Sequence, residues 1–85
     1  MALRVEIHPH ARGRAPERGA TEDEIISTVL AGERFPAKFG RVGFRRNFVF
    51  GRIWRGRRYA TKQIEAYAVE KPDHWLVITV IAKYF

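Results

Sequence analysis

Three long strand-like runs, separated by two short turn signals, fill the second half of this chain and dictate an antiparallel sheet. In the first run Phe44, Arg46, Phe48 and Phe50 alternate with Arg45, Asn47 and Val49, the two-residue period of a strand. Ile53 and Trp54 continue it past Gly51, which reads as a bulge. Arg55-Gly56-Arg57 is a hairpin turn, because Gly56 can adopt the positive φ that such turns need. The return run, Arg58 to Glu70, puts Tyr59, Thr61, Gln63, Glu65, Tyr67 and Val69 on one face and Ala60, Lys62, Ile64, Ala66 and Ala68 on the other. Lys71-Pro72-Asp73-His74 has the chemistry of a tight turn. Trp75 to Tyr84 is then a strand apolar almost throughout, as in a sheet centre.

The first half supplies what covers this sheet. Leu3 to Ile7 reads as a short strand ended by Pro9. His10 to Arg18 has helical spacing, weakened by Gly13 and Pro16. Thr21-Glu22-Asp23-Glu24 is a capping box whose three acids also suit the positive end of a helix dipole. Ile25, Ile26, Val29 and Leu30 follow on one helical face, and Gly32 supplies the stop. Phe35 to Gly43 reads as irregular. The expected fold is α+β: an N-terminal strand and one or two helices packed on a mainly antiparallel four-stranded sheet, a single domain over residues 1–85.

Charge narrows the partners. From Arg34 to Ile64 there are ten basic residues and no acidic one, within a chain of net charge +7. Such segregation creates a one-signed field that draws polyanions. Twelve of the 16 bases are arginine, whose planar fork grips phosphate in bidentate fashion. Arg45, Arg46, Arg52, Arg55, Arg57 and Arg58 are the candidate nucleic-acid contacts, with Phe44, Phe48, Phe50, Trp54 and Tyr59 among them as candidates for base stacking or for the core. There is no cysteine, so a disulfide, a thiolate metal site and a thiol nucleophile are excluded, which fits a cytoplasmic setting. The alternating segment Met1 to His8 does not read as a secretory signal, and no stretch approaches the roughly 20 apolar residues of a membrane span.

A phosphate-binding glycine loop, a Gly-x-Ser-x-Gly elbow and an HExxH pair are missing, and no carboxylate is spaced to complete a metal site with His8 and His10. No metal and no cofactor is therefore expected. His10, Arg14 and Arg18 stand at i, i+4 and i+8, one face of a helix. An imidazole that moves protons near neutral pH and guanidiniums that stabilise a pentavalent phosphate suffice for RNA cleavage by the neighbouring 2′-hydroxyl. The alternative from spacing alone is that His10 caps a helix while the arginines pair with Glu17, Glu22 or Asp23.

The run His10-Ala11-x-x-Arg14-x-x-x-Arg18-Gly19-x-Thr21-x-x-Glu24, then Leu30 and Gly32, resembles the opening of a small bacterial domain family of unknown function grouped with the RelE/ParE-type toxins. Gly56-x-x-Tyr59-x-x-Lys62, Ile64 to Ala68 and Val77-Ile78-Thr79-Val80 extend the resemblance over most of the chain. It implies a RelE-like fold and a toxin-like ribonuclease held by an antitoxin. It also implies roles for His10, Arg14 and Arg18 on a polar helix face, for Lys62 at a basic strand position and for Thr79 in the final strand. The expected partners are RNA, in a ribosome-associated setting or free, and an acidic antitoxin protein. A non-catalytic nucleic-acid-binding module using the basic hairpin is the second reading, and a domain that meets an acidic protein the third.

Overall fold

The structure, a computed structural model, describes residues 3–85. Met1 and Ala2, which open the segment read as carrying no signal, lie outside the described residues. The elements are β1 (Arg4–Ile7), α1 (Pro9–Arg14), a 3-10 turn (Pro16–Arg18), α2 (Glu22–Ala31), β2 (Glu33–Pro36), β3 (Val42–Trp54), β4 (Arg57–Glu70) and β5 (His74–Tyr84). The fold is α+β, and the sheet differs from the expected one. It has five strands in the order β1-β5-β4-β3-β2, and β1 runs parallel to β5 while the other pairs are antiparallel.

The extra strand is β2, in the segment read as irregular. It pairs Glu33 to Pro36 with Arg45 to Val42, and only Phe35 of its four residues is even half-buried. A four-residue edge strand has too little period to reveal itself. The β3–β4 hairpin follows the sequence closely. Its register shifts between Val49 and Arg52, with Gly51 at φ 59°, and Arg55 and Gly56 take φ of 50° and 83° between the paired Trp54 and Arg57. Two successive positive φ values make the tight two-residue turn that matches the twist of the strands.

The core lies between the helices and one face of the sheet. Phe44, Ile64, Ala66, Ala68, Trp75, Val77 and Val80 meet Ala11, Ala15, Ile25 and Val29 there. Both halves of the Thr21/Glu24 capping box are formed. Leu30, expected on the buried face of α2, is 56% exposed, and Thr28 is buried in its place with its hydroxyl donating to the Glu24 carbonyl at 2.7 Å. Gly32 has an extended φ of −81°, so its role is steric: a Cβ there would collide with the Thr28 carbonyl and stand 2.6 Å from that of Arg45. Glycine lets the end of α2 pass directly over β3.

Among the described residues no helix covers the opposite sheet face, which carries a charge ladder. Arg45 bonds Glu33 at 2.8 Å, and Glu65 accepts from Lys83 at 3.0 Å and from the Tyr67 hydroxyl at 2.9 Å. Burial pushes the Glu65 carboxyl up, but the Lys83 and Tyr67 hydrogen bonds and the Lys83 and Arg45 charges outweigh it and hold the group below the ordinary carboxylate range. Among the described residues no helix is long and apolar enough to cross a membrane.

A candidate active-site cleft

The cleft forms where β1 stops. β1 pairs with β5 only as far as Ile7 and Val77; His8 then donates its amide to the Val77 carbonyl at 2.8 Å and the chain lifts into α1. Beyond Val77 no strand among the described residues pairs with the outer edge of β5. The β4–β5 ladder also shifts register between Tyr67 and Ala68, which leaves Ile78 as a bulge. Bulges at strand edges re-aim side chains and recur beside active sites.

α1 lies along this open edge. Ala11 and Ala15 are buried at 1% and 2% exposure, and their small side chains let the helix approach β5 closely. His10 and Arg14, one residue before each, flank that buried stripe. The Pro16 that weakened the helical reading occupies the first position of the 3-10 turn, where its missing N–H costs nothing. Ala15 stays in the right-handed helical region, so the chain keeps its course and Arg18 remains on the same side. The result is a cleft of about 170 Å³ lined by His10, Ala11, Arg14, Arg18, Ile78, Thr79 and Val80. Four of the five candidate catalytic residues, His10, Arg14, Arg18 and Thr79, thus share one concavity.

The helix cap falls to His8 rather than His10: the His8 Nδ1 accepts the His10 amide at 3.1 Å. The His10 ring is exposed and, among the described residues, makes no hydrogen bond or ion pair. Arg14 approaches Glu17 at 3.8 Å, with both side chains more than half exposed, a contact of small worth that leaves the guanidinium accessible. Arg18 is half-buried and has no ion-pair partner among the described residues. The alternative pairing of the face arginines with acids is thus met at Arg14, through Glu17, and not at Arg18, while Glu22 is taken by Arg12 at 3.3 Å, away from the cleft.

Lys62 is the exception among the five. Its side chain is 4% exposed, and its ammonium lies 2.8 Å from the Glu24 carboxylate and 2.8 Å from the Gly19 carbonyl, over the Phe50 ring. A cation so enclosed does not reach a phosphate in the cleft. The basic strand position is a core ion pair, because Lys62 falls on the helix-facing side of β4 opposite Phe48.

The six candidate RNA-contacting arginines divide. Arg52, Arg55, Arg57 and Arg58 are exposed on the last rungs of the hairpin. Arg45 is tied into the ladder on the uncovered face, where its hydrogen bond to Glu33 raises its pKa, and Arg46 bonds the Ser27 hydroxyl on α2. The hairpin tip is tied to the 3-10 turn that carries Arg18 through Arg55, which donates to the Glu17 carbonyl at 2.9 Å. A second hollow of about 140 Å³, lined by Arg18, Trp54, Arg55, Ile81, Ala82 and Tyr84, adjoins the first and shares Arg18 with it. The two together follow the open edge of β5 from His10 to the hairpin.

The aromatic residues are largely committed. Arg52 lies 5.1 Å from the Phe50 ring centroid, Arg55 5.3 Å from Trp54 and Arg57 5.8 Å from Tyr59, while Trp54 stacks on Tyr84 at 5.0 Å. A nucleobase would have to displace a guanidinium to stack there. Sequence reasoning did not find the role of Gly19 (φ 75°), where a Cβ would collide with the Tyr84 hydroxyl and stand 2.9 Å from the Trp54 ring. Its only sequence signal was its place after Arg18.

No known family, curated protein or solved structure matches the chain.

Proposed function

We propose that this chain is a RelE-like toxin acting as a metal-independent endoribonuclease. The observation that carries the reading is the convergence of His10, Arg14, Arg18 and Thr79 on one cleft beside a basic hairpin. In the reaction His10 takes the proton of a ribose 2′-hydroxyl, and the 2′-oxygen bonds to the adjacent phosphorus. The P–O5′ bond breaks, the proton held by His10 is passed on through solvent to the 5′-oxygen, and a 2′,3′-cyclic phosphate remains. Arg14 and Arg18 neutralise the phosphorane. Helices packed on a largely antiparallel sheet, together with the motif resemblance, support the RelE-like assignment. RNA, on the ribosome or free in the cytoplasm, is the proposed substrate, and an acidic antitoxin the proposed inhibitor.

Purified protein is expected to cleave RNA in the presence of a metal chelator and to leave 2′,3′-cyclic phosphate and 5′-hydroxyl ends. A single 2′-deoxy substitution at the cleaved position should abolish the cut. RNA left intact, with and without ribosomes, would overturn the reading.

The exposed arginines of the hairpin tip favour a second reading, a nucleic-acid-binding module without catalysis. Under both readings, replacing Arg52, Arg57 and Arg58 together by alanine should reduce the slope of log affinity against log salt by about 2, since each phosphate contact on a single strand contributes about 0.7. An unchanged slope in a salt titration would remove the hairpin from the RNA interface.

A further inference from the structure

The segment that carries Arg18 is held by the sheet in an unusual way. The carbonyls of residues 17, 18 and 19 accept none of the backbone hydrogen bonds found in the turns and caps of the described residues. They end a 3-10 turn, where orphan carbonyls carry the negative end of the local dipole. Each is met instead by a side chain from a different part of the sheet. Arg55, in the β3–β4 turn, donates to the Glu17 carbonyl at 2.9 Å. Tyr84, on β5, donates to that of Arg18 at 2.6 Å. Lys62, on β4, donates to that of Gly19 at 2.8 Å.

We propose that Arg55, Tyr84 and Lys62 form a clamp that positions Arg18 in the cleft, making them positioning residues for RNA cleavage. The proposal rests on the ribonuclease reading above and adds residues that touch the site only through its backbone. Gly19 belongs to the same device, since any larger residue would push the Tyr84 hydroxyl away. The clamp is set at neutral pH: burial and the Glu24 carboxylate raise the Tyr84 hydroxyl above the ordinary tyrosine range despite the opposing charge of Arg55, so the phenol remains a donor. The parts also brace one another, because the Tyr84 ring packs on Phe50, Trp54 and Tyr59 at centroid distances of 5.3, 5.0 and 5.7 Å. Arg55 also joins the hairpin tip to the turn that carries Arg18.

Tyr84→Phe tests the clamp with the least disturbance, since it removes one hydroxyl and leaves the aromatic packing. A misplacement of the kind it would cause lowers turnover by about 10- to 100-fold. The expected result is a fall of that size in kcat on an RNA oligonucleotide with KM unchanged. In an Arg18→Ala background Tyr84→Phe should have no further effect, because it acts only through Arg18. An equal fall in both backgrounds, or no fall in the native one, overturns the proposal. Amide hydrogen exchange gives a readout independent of catalysis. In Tyr84→Phe, exchange at residues 18–20 should quicken at least tenfold while the centre of α2 is unchanged, and unchanged exchange at 18–20 also overturns the clamp. Absence of cleavage by the unsubstituted protein is a separate outcome: it removes the ribonuclease reading, and the exchange measurement then decides the clamp alone.

Discussion

His10→Ala is expected to slow RNA cleavage by about 10²- to 10⁴-fold, the range that proton transfer by a positioned side chain supplies. His10 is the only imidazole lining the cleft: His8 is occupied in capping α1, and His74 bonds Asp73 at 2.7 Å near the β4–β5 turn. No carboxylate lines the same cleft to take over proton transfer. RNA affinity should stay close to that of the native protein, since phosphate binding falls to arginines. The rate should also not recover in added magnesium or manganese if the chemistry is metal-independent. Single-turnover cleavage of an end-labelled oligonucleotide, with affinity measured in parallel on its 2′-deoxy analogue, separates the two terms. A rate within threefold of native would take the proton-transfer role away from His10. Equal losses in rate and affinity would mean that the side chain binds rather than reacts.

Lys62→Met is expected to be strongly destabilising. The native ammonium is 4% exposed and bonds both the Glu24 carboxylate and the Gly19 carbonyl. Methionine fills similar space but leaves a largely buried carboxylate and a carbonyl without their donor. Breaking a buried pair from one side costs about 3–5 kcal/mol. In a domain of this size each kcal/mol lowers the melting temperature by roughly 4–8 °C, so a fall of at least about 12 °C is expected by circular dichroism. Adding Glu24→Gln should restore much of the loss, because glutamine can still serve the capping box while the stranded charge is gone. A small change in Lys62→Met would show that the ion pair contributes little. A double variant no better than the single one would assign the loss to packing instead.

These two residues also show how far local pattern reaches. The place of His10 beside Arg14 was legible because i and i+4 share a helix face whatever the helix packs on. The place of Lys62 was not. A basic residue in a basic stretch reads as exposed, and only the pairing of β4 with β3 and the seating of α2 above them turn it inward beside Glu24. The six candidate arginines divide for the same reason. Alternation assigned Arg45 and Arg46 to opposite faces, but the acid that holds one and the serine that holds the other come from β2 and α2.

What the sequence determined by itself is the local conformation. The capping box of α2, the bulge at Gly51, the positive-φ turn at Arg55 and Gly56 and the three long strands each follow from a few adjacent residues whose φ/ψ preferences and side-chain period are intrinsic. The tertiary structure decided everything that depends on one element ending beside another. The parallel pairing of β1 with β5, the edge strand β2, the cleft opened where β1 stops short and the capture of three carbonyls by Arg55, Tyr84 and Lys62 all join residues far apart in the chain. The physical reason is that side-chain period fixes which face a residue takes, whereas strand order and register, set by the packing of the whole core, fix what that face meets.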